Sequence, residues 1–455
     1  MYRFVGNGDV PISRLREARA KVVLDRVPRD SEFLIVHDVT LLDYSKHYSK
    51  DDRRVIGDTH GKGYEYVSCL AVDPESATLL GVVHDTVVSE DGPDDQDSME
   101  YDYEPMFEEF TPEEKRRLRD NHRHQMAVHV NGLSETLSGY HMVHVGDREF
   151  DDILVMENCL QSRSDFVVRT VGNRNVQVPR YDWVPPDAIT TKRPGHRPPE
   201  GYVCVNLPLL LEHVPLESYK TLSLNSRGRV TDERSAERHA SLSIGSFKAR
   251  LHRDVLRNRK RFSTCAPVDV SVVVIRETNP PQDEDPLQWI LFTSLPVDTP
   301  EQMAKVGRAY ELRWSIEQFF RLLKSGFGIE KARYDNAEKI AKLLVLLTLA
   351  AMLILNLKRD IGLPSKGALT DEEYQRIKTA MLEPESEDID LDTRLFAFIA
   401  KYDGWIGRRG DPIGPTVLMR GLLQVLAILD AYERFGPLIK EAVENPNILK
   451  RLFCV

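Results

Sequence analysis

The chain has few cysteines, no long apolar run and no excess of positive charge, and each shortage excludes something. Its five cysteines, Cys69, Cys159, Cys204, Cys265 and Cys454, are scattered, odd in number and without metal-ligand spacing. They argue against a disulfide-built secreted scaffold, suit a reducing cytoplasm, and are expected to do no chemistry. The longest apolar segment, Leu343 to Leu355, is too short to span a bilayer and is flanked by Lys342 and Lys358. It reads as a buried core helix, and no membrane partner is expected. The opening MYRFVGNGDVP has no apolar run behind a basic start, so no secretory signal is read there and a cytoplasmic location is expected. A formal net charge of −10 argues against a protein that coats nucleic acid indiscriminately, while leaving room for a basic groove confined to one face. There is no internal repeat and no P-loop motif, so a nucleotide cofactor is not expected.

What is present is an ordinary globular composition, 41% hydrophobic and 29% charged over 455 residues, enough for two or three domains. FLIV (33–36) is a short apolar run that stops at His37 and Asp38, the pattern of a buried strand delivering a polar residue at its end. YVSCLAV (66–72) and ATLLGVVHDTVV (77–88) continue it as an antiparallel meander around a DPES turn. The acidic stretch from Ser89 to Glu109 reads as an exposed loop, and residues 112–137 as a helix or helix pair. HMVHVGD (141–147) is a strand ending in a second aspartate, followed by a helix at EFDDILVMENCLQ and a strand at DFVVRTV (165–171). From about 173 to 290 the texture is proline-rich and β-branched, with alternating segments such as GYVCVNLPLLL and VDVSVVVIRET, and reads as a β-rich insertion closed by the strand QWILFTS. After Pro300 the chain turns helical, with helices over 301–326 and 336–358 and a mainly helical stretch from about 366 to the end.

Within the first of those helices, YELRWSIEQFFRLLK (310–324) spaces Tyr310, Arg313, Glu317 and Lys324 by three, four and seven. At roughly 100° per residue they fall at about 0°, −60°, −20° and −40°, one narrow stripe on an otherwise apolar helix. The plain reading is an i,i+4 ion pair on a solvated edge, worth a few tenths of a kcal/mol. The functional reading is an acid that holds a metal beside bases and a phenol that grip phosphate. Two-metal phosphodiester chemistry needs carboxylates converging from separate elements. Asp38, Asp147 and Glu317 meet that need in one arrangement, a ribonuclease-H-like α/β core whose central first strand lies beside the fourth. Strand-end aspartates also cap helices and turns, and Asp43, Asp151 and Asp152 are local rivals.

With these residues in view, the sequence resembles the IS4 family of DDE transposases. Tyr310, Arg313, Glu317 and Lys324 keep every spacing of the family's Y-(2)-R-(3)-E-(6)-K signature, GDREFD (146–151) resembles its second-aspartate motif, and HDVTLLDYS (37–45) its first. The resemblance implies a mixed sheet flanked by helices, interrupted by a β-rich insertion and followed by a C-terminal helical domain. The implied boundaries are 1–30 as remnant or linker, 31–172 and 291–365 as the two parts of the core, 173–290 as the insertion, and 366–455 as a dimerisation domain. Asp38, Asp147 and Glu317 would be catalytic and hold two Mg²⁺ or Mn²⁺ ions. Tyr310, Arg313 and Lys324 would hold phosphates of the transposon end, with Arg148 and Arg169 as further backbone contacts. A salt bridge to Glu149 or Asp151 explains Arg148 almost as well. Trp289 is similar in position to the family tryptophan that stacks a flipped base, and equally fits a core tryptophan. The implied partners are double-stranded DNA and a second copy of the chain, acting at the bacterial nucleoid.

The sequence departs from the family in one respect: Asp38 comes too early to leave room for an N-terminal end-recognition domain. That raises a second expectation, a shortened product that binds and inhibits a full-length enzyme. A phosphatase-like reading of HDVT is disfavoured, because such a nucleophile wants a second aspartate where Thr40 stands.

Overall fold

The computed structural model describes residues 5–25, 27, 31–57, 61–94, 122–137, 139–170, 172–190, 197–224, 238–252, 254–257, 260–263, 267–282, 285–360, 370–383, 388–402, 413 and 417–424. Most of the acidic stretch after Ser89, the first part of the expected 112–137 helix and most of the glycine-rich segment 401–415 lie outside the described residues. Two compact units emerge, one holding nearly all of the chain up to Met352 and the other chiefly Leu353 onward.

The first unit is organised by a mixed sheet. β1 (Glu32–Asp43), β2 (Gly61–Val72) and β3 (Leu79–Ser89) form the expected antiparallel meander. After α2 (His122–Thr136), β4 (His141–Gly146) pairs parallel to β1; after α3 (Ile153–Gln161), β5 (Asp165–Arg169) pairs parallel to β4. The resulting order β3-β2-β1-β4-β5, with β1 central, is that of a ribonuclease-H-like core. Alternation along β1 sends Phe33, Ile35 and His37 to one face and Leu34, Val36 and Asp38 to the other. The first face meets α2 through Leu133 and Leu137, while Ile153 and Met156 of α3 pack with Phe166 and Val168 of β5.

The β-branched region after residue 173 extends this same sheet. β6 (Asn175–Pro179), β7 (Tyr202–Asn206), β8 (Glu217–Leu224), β9 (Arg238–Leu251), β10 (Val268–Glu277) and β11 (Gln288–Thr293) join it at β5, because β11 pairs antiparallel to β5. Within the β-rich region LPLLL after β7 forms a short helix, α4 (Leu207–Leu211): Asn206 accepts from the Leu209 amide and Pro208 sits where a helix start tolerates proline. Residues 12–24, within the segment expected to be a remnant or linker, form α1 (Ile12–Leu24), which packs against β3 with Arg16 and Arg19 buried. The apolar run at Leu343 lies in α7 (Ala337–Asp360), mostly buried as expected. Among the described residues no helix is long and apolar enough to cross a membrane.

In the second unit, α8 (Asp371–Leu382) and α9 (Leu391–Tyr402) pack together. Thr370 and Glu373 form a capping box at the start of α8, and Asp390 caps α9 through the Thr393 amide at 2.8 Å while pairing with Arg376.

Candidate active site

Register brings the first two carboxylates to one end of a ladder. The parallel ladder between β1 and β4 ends at Val36 opposite Val145. Asp38 lies two residues further along β1 and Asp147 is the first residue past β4, so both aspartates stand just beyond the end of the ladder. Asp147 thus marks its strand's end, as the sequence implies. Asp38 does not: β1 continues to Asp43, because its antiparallel ladder with β2 runs on to Asp43 opposite Gly63. On its β4 side the ladder stops at Val36, two residues short of the partly exposed Asp38. After Gly146 the chain turns tightly: the Glu149 amide donates to Asp147 Oδ1 at 2.8 Å, and Phe150 lies so close that a Cβ on Gly146 would meet it at 2.2 Å.

The third carboxylate comes from the helical run after Thr299, whose side chain caps the Gln302 amide in a capping box. The run is not one regular helix. α5 (Pro300–Leu312) ends at Arg313, α6 (Trp314–Arg321) follows at once, and residues 322–326 form a wide π turn. The Arg313 amide bonds the Tyr310 carbonyl at 3.1 Å, a tightening that offsets the two helices. Leu312, Ile316, Phe319, Phe320 and Leu323 are buried, as the apolar pattern demands.

Arg313 is the hub. Its Nη1 donates to Asp38 Oδ2 at 3.2 Å and its Nη2 to Glu317 Oε1, while its guanidinium lies 5.9 Å from the centre of the Tyr310 ring. Burial acts to lower the Arg313 pKa but is outweighed by Tyr310, Asp38, Glu317 and Asp147, which hold it above the ordinary range. At Asp38 burial wins over Arg313, and with Asp147 and Glu317 adding like charge the carboxyl is pushed up to about 7. One guanidinium thus bonds two carboxylates and feels a third, so the acids outnumber the base. All three are hard oxygen donors, the ligand class that suits a divalent cation of the Mg²⁺ or Mn²⁺ type.

The remaining residues singled out from the sequence divide. Tyr310 is buried, its ring edge-on to Trp289 at 5.4 Å, and its hydroxyl lies 3.5 Å from Arg169 Nη1. Arg169 also donates to the Gln288 carbonyl, so Tyr310, Trp289 and Arg169 form one packed group flanking Arg313. Trp289 is 7% exposed, a core position as the chain stands. Lys324 is apart from the three carboxylates: it lies 3.9 Å from Glu330, whose carboxylate accepts from the Asp43 amide at the far end of β1. Arg148 is exposed on the turn after β4. The Asp151 proposed as its partner is engaged at 2.5 Å by Arg174 and at 2.7 Å by Thr170. The other rivals also have structural work, Asp152 capping α3 and Asp43 accepting from the Ser45 amide. One cluster was not legible beforehand: His37, left without a role, meets Cys69 and His129 on the opposite face of β1, from positions 32 and 60 residues apart along the chain.

The family model described as the transposase DDE domain matches residues 119–353, just over half of the chain. The match contains Asp147, Glu317 and the whole run from Tyr310 to Lys324, with Asp38 ahead of it on the strand that β4 pairs with. Enzymes of this family act on DNA and use divalent metals. The chain belongs to the transposase DDE-domain family and is an enzyme that cleaves DNA and transfers its strands.

Proposed function

We propose that the chain is a cut-and-paste transposase of the IS4 group, similar to the Tn5 transposase, with Asp38, Asp147 and Glu317 as the catalytic carboxylates. The observation that carries this reading is the Arg313 bridge from Asp38 to Glu317 beside a ladder that ends just short of both Asp38 and Asp147. Two bound divalent ions would supply activation of a water or 3′-hydroxyl and stabilisation of the leaving oxygen. The protein's own part is to fix the three carboxylates on a rigid sheet and helix. Arg313, positioned between Asp38 and Glu317, would present a planar donor to a phosphate of the transposon end. Tyr310, Arg169 and Lys324 extend that grip along the backbone, and Arg148 lies exposed beside it. For Trp289 to stack a flipped base, its contact with Tyr310 must open. The reaction sequence is nicking, hairpin formation on the opposite strand, reopening by water and joining to target DNA. The helices from about residue 366 onward form the dimer surface.

The test uses a supercoiled plasmid in which the DNA flanking this gene brackets a marker, incubated with the protein and Mg²⁺ or Mn²⁺. Excision or hairpin-ended products that vanish with Glu317→Ala support the proposal. Folded protein that never cuts, yet suppresses a longer version when mixed with it, would instead support the inhibitor role.

A further inference from the structure

Directly behind Asp38, on the other face of β1, lies a cluster that DNA cleavage does not use. The face holding His37 also carries Cys69 of β2 and His129 of α2, and all three are fully buried. Both imidazoles turn the same atom toward one sulfur: His37 Nδ1 is 3.3 Å and His129 Nδ1 3.2 Å from Cys69 Sγ. A thiol can satisfy both by donating to one Nδ1 and accepting from the other, whereas a thiolate could share one cation with both. The three ligand atoms all lie within 4.8 Å of one another. A thiolate about 2.3 Å and imidazole nitrogens about 2.0–2.1 Å from a shared ion, at tetrahedral or trigonal angles, stand roughly 3.5 Å apart, close to the spacing here.

The outer nitrogens are arranged as a metal site requires. His37 Nε2 lies 2.8 Å from His144 Nδ1 of β4, and His129 Nε2 lies 2.7 Å from Thr86 Oγ1 of β3. Ligating histidines characteristically donate their second N–H to such a partner, which fixes ring orientation and tautomer. We propose that His37, Cys69 and His129 form a structural site for one thiophilic d¹⁰ cation, Zn²⁺ or Cu⁺, that ties α2 to the central strands behind the catalytic face. Thiolate and imidazole suit that class and not Mg²⁺ or Mn²⁺, so this site and the carboxylate site draw on different ions. The sequence hides it because the ligands come from a strand, a second strand and a helix with no motif spacing.

The test loads the purified full-length protein separately with Zn²⁺ and, under reducing anaerobic conditions, with Cu⁺, dialyses it against a chelator and measures metal per chain. About one retained ion is expected, falling to none in Cys69→Ser and in His129→Gln but unchanged in the Asp38→Asn, Glu317→Gln double variant. Retention of one metal and not the other identifies the ion. Because the buried substitutions can unfold the chain, wild-type protein loaded with Co²⁺ supplies a second readout, a thiolate-to-metal charge-transfer band in the near ultraviolet. No retained zinc or copper, or retention without a thiolate signature, would overturn the site and leave a hydrogen-bonded histidine chain.

Discussion

Arg16 and Arg19 meet Asp85 and Asp94 with two positive charges for two negative, whereas Arg313 alone faces Asp38, Asp147 and Glu317 on the same sheet. In the first cluster the donors reach each carboxylate oxygen: Arg16 Nε and Arg19 Nη1 bond Asp85 at 2.6 Å, Tyr66 adds its hydroxyl at 2.8 Å, and Asp94 takes Arg16 Nη2 at 2.8 Å and the Val87 amide at 2.9 Å. Burial acts to raise Asp85, but the two guanidiniums overcome it and hold the carboxyl far below its usual range. Burial prevails at Asp94 of the first cluster, whose carboxyl is raised, and at Asp38 of the second, where the carboxyl is pushed up to about 7. The comparison separates a charge-matched ion cluster, which fastens α1 to the sheet, from one in which acids outnumber the base. Both are buried, and the ratio of guanidiniums to carboxylates distinguishes them.

The largest effect should come from damaging the charge-matched cluster. Asp85→Ala leaves Arg19 buried without its carboxylate and Arg16 with Asp94 alone, and a loss of roughly 3–5 kcal/mol in denaturant unfolding is expected. A loss below about 1 kcal/mol would show that water or rearrangement replaces Asp85 and would break the comparison.

The same operation on the acid-rich cluster should have the opposite character. Asp38→Asn or Glu317→Gln removes one of several like charges, so stability of metal-free protein should hold or rise. Strand cleavage should fall about 10³-fold, since several kcal/mol of cation-derived stabilisation is lost. Added Mg²⁺ or Mn²⁺ should raise the melting temperature of the wild type and not of a double variant carrying both changes. A variant as destabilised as Asp85→Ala would place Asp38 among purely structural ion pairs.

A pH series sharpens the contrast by sign. A carboxyl whose folded pKa is raised binds more protons folded than unfolded, so metal-free stability should decline as pH climbs from about 4 to about 7 through Asp38. The decline is at most about 4 kcal/mol, and Asp38→Asn should flatten it. Asp85 works the other way: its contribution is present above the ordinary carboxylate pKa and is lost as pH falls below about 4. Calorimetry across both windows checks the two slopes independently.

The smallest effect belongs to the exposed Arg148. Arg148→Ala should change stability by under about 0.5 kcal/mol, while lowering the salt slope of DNA binding by about one phosphate contact. An unchanged slope would remove Arg148 from the DNA surface.

Much of the core was readable because its elements follow local rules. Apolar runs with turn signals marked β2, β3 and β4, and the spacing from Tyr310 to Lys324 marked the helix that carries Glu317. Where reading failed, nonlocal pairing was responsible. Asp38 looked like a strand end because the apolar run stops there, yet the ladder to β2 carries β1 on to Asp43. The even stripe from Tyr310 to Lys324 assumed one uninterrupted helix, and the break at Arg313 with the π turn at 322–326 sends Lys324 toward Glu330 instead.

By itself the sequence determined which carboxylates and bases are available and how the Tyr310–Lys324 segment spaces them, since local periodicity is written in residue order. Tertiary structure alone decided that one arginine bridges Asp38 and Glu317, and that His37, Cys69 and His129 share a point behind them. Those facts depend on which strands pair and how far each ladder runs, and pairing is settled by packing between segments far apart in the chain.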